Sequence, residues 1–107
     1  TEALPFADKS WENVLCVHVL QHLPAYEAAL LELLRVARRS VYVGSWFSDE
    51  AADSVVCTKN DAPFEGDVFY NNVYSLPKML EFVKGRVREV AVWRFRGKVG
   101  SIFMKVR

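Results

Sequence analysis

The sequence predicts an α/β fold with about four strands and two to three helices, and three observations support this class. Two apolar runs, Asn13–Val19 and Ser40–Trp46, have the composition of buried strands, and a segment with helical periodicity separates them. A second helical segment, "LPKMLEFV", follows later. The chain then ends in two strand-like runs joined by a glycine-containing turn. The first two strands should therefore be parallel, joined by a right-handed crossover, and the last two should form an antiparallel hairpin.

The first strand is predicted at Asn13–Val19, "NVLCVHV", where nearly every residue is apolar or β-branched. Such a run is typical of a strand that is buried on both faces of a parallel sheet. Cys16 lies within it and is expected to point inward as a small buried hydrophobic residue. The ten residues before the run contain proline, aspartate and serine and predict a loop.

The first helix is predicted from Pro24 to Arg39, "PAYEAALLELLRVARR". Its alanine, leucine and glutamate content favours helix, and its apolar residues recur at helical spacing. Glu27 lies near the start and Arg35 near the end, as the helix dipole favours. The second strand follows at Ser40–Trp46, "SVYVGSW".

Residues 47–75 are irregular and polar and predict a loop or insertion on the substrate side, with a possible short helix at 49–56. Ser75 is the predicted N-cap of the second main helix, and Gly85 is predicted to close it. The last strands are predicted at Arg86–Phe95 and Val99–Val106, with "RGKVG" as the hairpin loop.

Length and composition predict one domain over residues 1–107, with 51% hydrophobic and 25% charged residues. The net charge is +1, but residues 1–83 carry six basic against twelve acidic residues, and residues 84–107 carry eight against one. The two parts either attract each other or the basic end faces an anionic partner. Nucleic acid is one such partner, because phosphate contacts need basic charge, but we favour a solvated basic face, which the acidic first part of the chain supports.

Two cysteines, without CxxC spacing or a disulfide framework, predict a reducing, cytoplasmic setting. No apolar run approaches the roughly 18 residues of a membrane span, so no membrane partner is predicted. The first residue is Thr rather than Met. We therefore expect the chain to be processed or cut from a longer protein.

The segment "EALPFADKSWENVLCVHVLQHL", residues 2–23, resembles a signature of class I S-adenosylmethionine-dependent methyltransferases of the small-molecule type. The similar features are a Glu-Ala-Leu-Pro-Phe loop, an Asp-x-Ser-aromatic segment, an apolar strand and His-Val-Leu-x-His. The terminal hairpin is similar to the reversed last strands of that family. The resemblance implies a partial Rossmann-like methyltransferase sheet and methyl transfer from S-adenosylmethionine to an unidentified acceptor.

The chain departs from the family in its glycines. The family binds its cofactor at an acidic-x-Gly-x-Gly-x-Gly turn, where glycine lets the backbone approach the ligand closely. None of the five glycines here forms Gly-x-Gly. The chain therefore resembles the C-terminal half of the domain, a truncated domain that we expect to be inactive alone.

The resemblance also implies site residues. The loop before the first strand is similar to one that lies along the adenine ring, and the end of that strand is similar to a segment beside the methionine part of the cofactor. The implied cofactor-binding residues are Thr1, Glu2, Ala3, Leu4, Cys16, Val17 and His18. The alternatives are an ordinary solvent loop and core side chains at the strand.

His22 matches the second histidine of the signature and is the predicted catalytic residue, as a base or as a group that orients the substrate. The alternative is a histidine that only hydrogen-bonds loop backbone. His18 and His22 have the spacing of half a zinc site, but no third ligand is evident, and no metal is predicted.

Aromatic and amide side chains after the second strand suit a pocket that closes over a small organic substrate. The predicted substrate-binding residues are Trp46, Tyr70, Asn72 and Tyr74. The alternative is an aromatic cluster that packs the long loop onto the sheet.

A different function is a non-catalytic α/β half-domain that acts as a binding or assembly module. An uncovered Asn13–Val19 strand would expose unpaired backbone and apolar side chains. We therefore expect it to be covered by self-association, as in a dimer, or by a missing N-terminal half.

Overall fold

The computed structural model describes residues 3–54, 57–59, 68–70 and 72–107, with the backbone alone at 57–59 and 68–70. In chain order the elements are β1 (Trp11–Val17), α1 (Glu27–Val36), β2 (Ala37–Gly44), β3 (Phe47–Ser48), β4 (Cys57–Lys59), β5 (Val68–Tyr70), β6 (Tyr74–Ser75), α2 (Leu76–Val83), β7 (Val87–Phe95) and β8 (Lys98–Val106). A 3-10 turn, Leu20–His22, lies between β1 and α1.

The main sheet has four strands in the order β1-β2-β8-β7. β1 and β2 are parallel, whereas β8 is antiparallel to both β2 and β7. This confirms the predicted mixed sheet with a parallel first pair and a terminal hairpin. The other strands form two small pairs, β3 with β6 and β4 with β5.

Several element boundaries differ from the sequence prediction, and β2 runs from Ala37 to Gly44 rather than from Ser40 to Trp46. β1 ends at Val17 because His18 adopts a φ of 57°, in the left-handed region that a strand cannot continue through. α1 is shorter than the predicted helix at both ends, and Ala37 already pairs with Trp11 of β1. Strand pairing therefore overrides the helix propensity of the last predicted turn.

The short helix predicted at 49–56 is not found at its described positions, 49–54. The backbone of Glu50 and the carboxylate of Asp53 are instead bonded to Ser75, and Ser54 forms an isolated bridge with Val73. These long-range bonds replace the local bonds that a helix needs. Positions 55 and 56 lie outside the described residues.

The predicted caps of α2 are confirmed. The Ser75 hydroxyl accepts a hydrogen bond from the Lys78 N–H at 3.2 Å, which satisfies one of the free amides of the first turn. The helix ends at Val83, and Gly85 follows with a φ of 84°. The hairpin turn is tighter than predicted, since only Arg96 and Gly97 separate β7 from β8.

Both helices pack on one face of the sheet. Leu30 of α1 and Met79 of α2 share one buried core with Val41 and Ile102 of the sheet. Side chains alternate across a strand, so the intervening residues lie on the second face. There Leu15 is 73% exposed. The prediction that the first strand is buried on both faces is thus wrong for this chain, because no described element covers the second face.

None of the helices in the described part of the chain is both long enough and apolar enough to cross a membrane.

Candidate functional site

A cleft of about 730 Å³ lies where β1 and β2 end, beside the turn of the β7–β8 hairpin. In α/β sheets ligands bind outside the carboxyl ends of the parallel strands, and this volume suits a small organic ligand. Its lining includes His18, Ser45, Trp46, Asp49, Lys98 and Gly100. Of the predicted site residues, His18 and Trp46 are thus brought to one cleft.

His18 is the first residue after β1, and its backbone is held in an unusual conformation. Its N–H donates to the Gly44 carbonyl at 2.8 Å, which continues the β1–β2 pairing one residue beyond the strand. Its φ of 57° is uncommon for a residue other than glycine. Such conformations persist where the surrounding structure imposes them, and they are frequent at functional sites.

Gln21 connects this histidine to the second strand. The Ser45 hydroxyl donates to Gln21 Oε1 at 3.0 Å, and Gln21 Nε2 lies 3.2 Å from His18 Nδ1. With the amide oxygen toward Ser45, the amide NH₂ faces Nδ1, an arrangement that favours the neutral tautomer with its proton on Nε2. In that tautomer His18 presents an N–H donor to a ligand in the cleft.

Gln21 was missed as a site residue in the sequence. It stands at the variable position of His-Val-Leu-x-His, yet only 1% of its surface is exposed. A buried amide is usually fully hydrogen-bonded and holds its neighbours in place. One feature of the sequence could have indicated it: Gln21 is a polar residue that directly follows Leu20 in the middle of the motif.

His22 ends the 3-10 turn, is exposed, and lies beside the cleft. Its ring is edge-on to that of Trp46, with 6.2 Å between the ring centroids. Trp46 lines the cleft and is 45% exposed. The contact places His22 next to a wall of the cleft, and its catalytic role remains a prediction.

Asn72 and Tyr74 are buried and hold the 3-10 turn. The Tyr74 hydroxyl donates to the Leu20 carbonyl at 2.7 Å, and Asn72 Nδ2 donates to the Leu23 carbonyl at 2.7 Å. Burial raises the pKa of Tyr74. These contacts support the alternative in which the loop packs onto the sheet, and the substrate contacts of both residues remain predictions. The Tyr70 side chain lies outside the described residues.

Leu4 belongs to a loop that is fastened to α1. Its N–H donates to Glu32 Oε1 at 2.8 Å, and its carbonyl accepts from Arg35 at 3.1 Å. Arg35 also contacts the Phe6 carbonyl and Asp8. Leu4 lines a separate hollow of about 230 Å³. Its N–H is therefore already engaged and is not free to read an adenine edge.

The neighbouring Ala3 is exposed, and Thr1 and Glu2 lie outside the described residues. The adenine contacts predicted for this loop remain predictions.

Cys16 and Val17 lie near the end of β1 on opposite faces. Cys16 is buried as predicted, and burial raises the pKa of its thiol, which favours the neutral form. Val17 is 48% exposed on the second face, and a Cβ added at Gly44 would lie 3.3 Å from its Cγ1. Both residues lie within two positions of His18 in the sequence, but their side chains do not line the cleft.

An ion pair bridges the rim of the cleft. Both terminal nitrogens of Arg94 on β7 donate to Asp49, at 2.8 and 2.9 Å. The guanidinium holds the pKa of Asp49 below its ordinary value. The pair links the segment after β3 to the hairpin. Within the described residues, no cluster of three or more histidine, cysteine or acidic side chains is placed to bind a metal.

Residues 1–43 match the sequence model of a family described as "Methyltransferase domain". This segment of the chain is similar to part of a methyltransferase domain. The matched segment includes β1, the 3-10 turn and α1, and so carries His18, Gln21 and His22. No curated protein sequence matches the chain at a significant level.

Proposed function

We propose that the fragment takes part in methyl transfer from S-adenosylmethionine to a small organic acceptor, as part of a longer methyltransferase. The observation that carries the proposal is the position of the cleft, which lies at the ends of β1 and β2, directly beside the matched segment. That edge of an α/β sheet is where ligands bind.

The described residues could bind one part of S-adenosylmethionine. The cleft has the volume of a ligand site, and His18 supplies an N–H donor that suits a carboxylate. The cofactor would supply an electrophilic methyl group. This chain has no Gly-x-Gly turn, so residues outside it would complete the binding.

His22 and Trp46 would act on the acceptor. The Trp46 ring forms an apolar wall of the cleft, and the imidazole of His22 lies against it. A histidine in that position would accept a proton from the acceptor or orient it. Methyl transfer otherwise depends mainly on alignment of the acceptor atom with the methyl group.

The test is titration of the ¹⁵N-labelled chain with S-adenosylhomocysteine, followed by NMR and calorimetry. We expect binding weaker than micromolar, with shift changes concentrated at His18, Ser45 and Gly100. His18→Ala should reduce these shift changes, whereas His22→Ala should leave the binding of S-adenosylhomocysteine unchanged. Shift changes confined to residues outside the cleft would refute the proposed site, and micromolar affinity would refute the predicted deficit.

The alternative function is an assembly module, and the second face of the sheet favours it. Leu15 and Trp93 on this face are 73% and 53% exposed, and β1 is an edge strand. Association with a second copy or with a missing N-terminal half would cover both. Light scattering on the purified chain tests association with a second copy, because a folded monomer at high concentration would exclude it. The cytoplasmic setting remains a prediction from the cysteines.

A further inference from the structure

A second cleft, of about 430 Å³, lies at the opposite end of the sheet from the candidate site. It occurs where β1, β2 and β7 begin and β8 ends. Its polar lining consists of Asn13, Arg38, Arg39, Ser40, Arg88 and Lys105. Four cationic side chains from three strands therefore converge on one cavity, and the methyltransferase match assigns them no role.

Irregular strand pairing places the first two of these cations. Trp11 pairs with Ala37 and Asn13 with Ser40, so β2 has one more residue than β1 between the two pairs. The stretch of β2 that contains this bulge is Arg38–Arg39. Regular alternation would send neighbouring side chains to opposite faces, but a bulge changes their direction, and both arginines line the same cleft.

A second bulge brings in the third cation. Val87 pairs with Val106 and Glu89 with Lys105, which leaves Arg88 as an extra residue of β7. Arg88 lines the cleft with Lys105. Bulges are frequent beside functional sites, where they redirect a side chain. Two separate bulges thus bring arginines of β2 and β7 to one cavity.

The charges in this cleft are not balanced. Glu12 is shared by the two arginines of β2, at 3.3 and 4.0 Å, and Lys105 lies 3.3 Å from Glu89. Arg88 forms no ion pair with any described residue. Four cations thus share two carboxylates. Exposed pairs of this kind are weak and readily exchange for a better anion.

The cleft also contains a neutral donor. The Ser40 hydroxyl donates to Asn13 Oδ1 at 2.6 Å, which fixes the amide and leaves its NH₂ as a donor. A ligand here would meet guanidinium forks, an ammonium group and an amide NH₂. These are the groups that recognise phosphate oxygens.

We propose that this basic cleft binds the phosphate group of a small phosphomonoester. A phosphomonoester carries close to two negative charges at neutral pH, which matches the excess of two cations over carboxylates. A nucleic-acid backbone carries one charge per phosphate and needs an extended basic track, whereas the cations here surround one compact cavity.

The test is an NMR titration of the ¹⁵N-labelled chain with inorganic phosphate, with sodium chloride at equal ionic strength as the reference. We expect saturable shifts at Arg38, Arg88 and Lys105. Arg88→Gln should weaken phosphate binding about tenfold, because it removes a charge-assisted donor. Arg96→Gln is the matched control, since it removes the same charge in the hairpin turn at the other end of β7, and affinity should not change.

Glu12→Gln provides a gain-of-affinity test that a folding defect cannot imitate. It frees both arginines of β2 from their shared carboxylate, and we expect phosphate to bind several times more tightly. Equal losses in Arg88→Gln and Arg96→Gln would overturn the proposal. So would binding of a single-stranded oligonucleotide, with shifts spread along the basic strands, in place of phosphate binding.

Discussion

Nδ1 of His18 lies 3.2 Å from Nε2 of Gln21, whose amide oxygen accepts a hydrogen bond from Ser45. This relationship joins the end of β1, the 3-10 turn and the end of β2. With the amide NH₂ toward the ring, it favours the neutral tautomer that carries its proton on Nε2.

The first prediction is that Gln21 sets this tautomer. At a pH where the ring is neutral, ¹⁵N NMR should show the Nε2–H form of His18. Gln21→Glu should reverse it, because a carboxylate accepts from Nδ1–H. Ser45→Ala should weaken the preference for this tautomer, because it removes the hydroxyl that bonds the amide oxygen away from the ring. An Nδ1–H form in the unmodified chain would contradict the assignment.

The second prediction concerns the buried hydroxyl of Tyr74. Tyr74→Phe removes the donor to the Leu20 carbonyl, and we expect a loss of about 1–3 kcal/mol in the free energy of unfolding. Urea denaturation measures it. Tyr42→Phe is the matched control, because that half-buried residue has no hydrogen bond of its hydroxyl among the described contacts, and it should change stability by less than about 0.5 kcal/mol. Equal effects would contradict the role of Tyr74.

The third prediction is a loss of loop attachment in acid. Bonds from Arg35 and from the Leu4 N–H hold the pKa of Glu32 below its ordinary value. The folded chain thus binds fewer protons at Glu32 than the unfolded chain. This stabilisation is complete above about pH 4.3, the ordinary pKa of glutamate, and is lost as the pH falls through the lower, folded-state pKa.

Hydrogen exchange of the Leu4 amide measures this attachment. Exchange, corrected for its intrinsic pH dependence, should accelerate as Glu32 is protonated. Glu32→Gln should show fast exchange already at neutral pH. Glu27→Gln on the same helix is the control and should behave like the unmodified chain. A protected Leu4 amide in Glu32→Gln would show that other contacts hold the loop.

The fourth prediction concerns the second face of the sheet. Val17→Lys places a charge at the half-exposed last residue of β1, which is an edge strand of the sheet. We expect the variant to stay folded and to lose self-association, because a lysine on an edge opposes strand pairing. Circular dichroism and light scattering measure the two effects. If the Val17→Lys chain still self-associates, the contact between copies does not lie on this face of the sheet.

Local signals were sufficient for several parts of the fold. The Ser75 cap, the glycine after α2 and the glycine in the hairpin turn depend on neighbouring residues, and each was predicted at its position. The parallel first pair follows from a strand, helix and strand in succession. The motif around His18 and His22 likewise lies within a few residues, so its resemblance to a methyltransferase segment is visible in the sequence.

Pairing between distant residues decided the rest. The bulges that gather Arg38, Arg39 and Arg88 at one cleft depend on strand register, which no single segment encodes. The hydrogen bond that Gln21 accepts comes from Ser45, 24 positions along the chain. The apolar run of β1 likewise specified a strand, but only the placement of both helices on one face decided which of its side chains are buried.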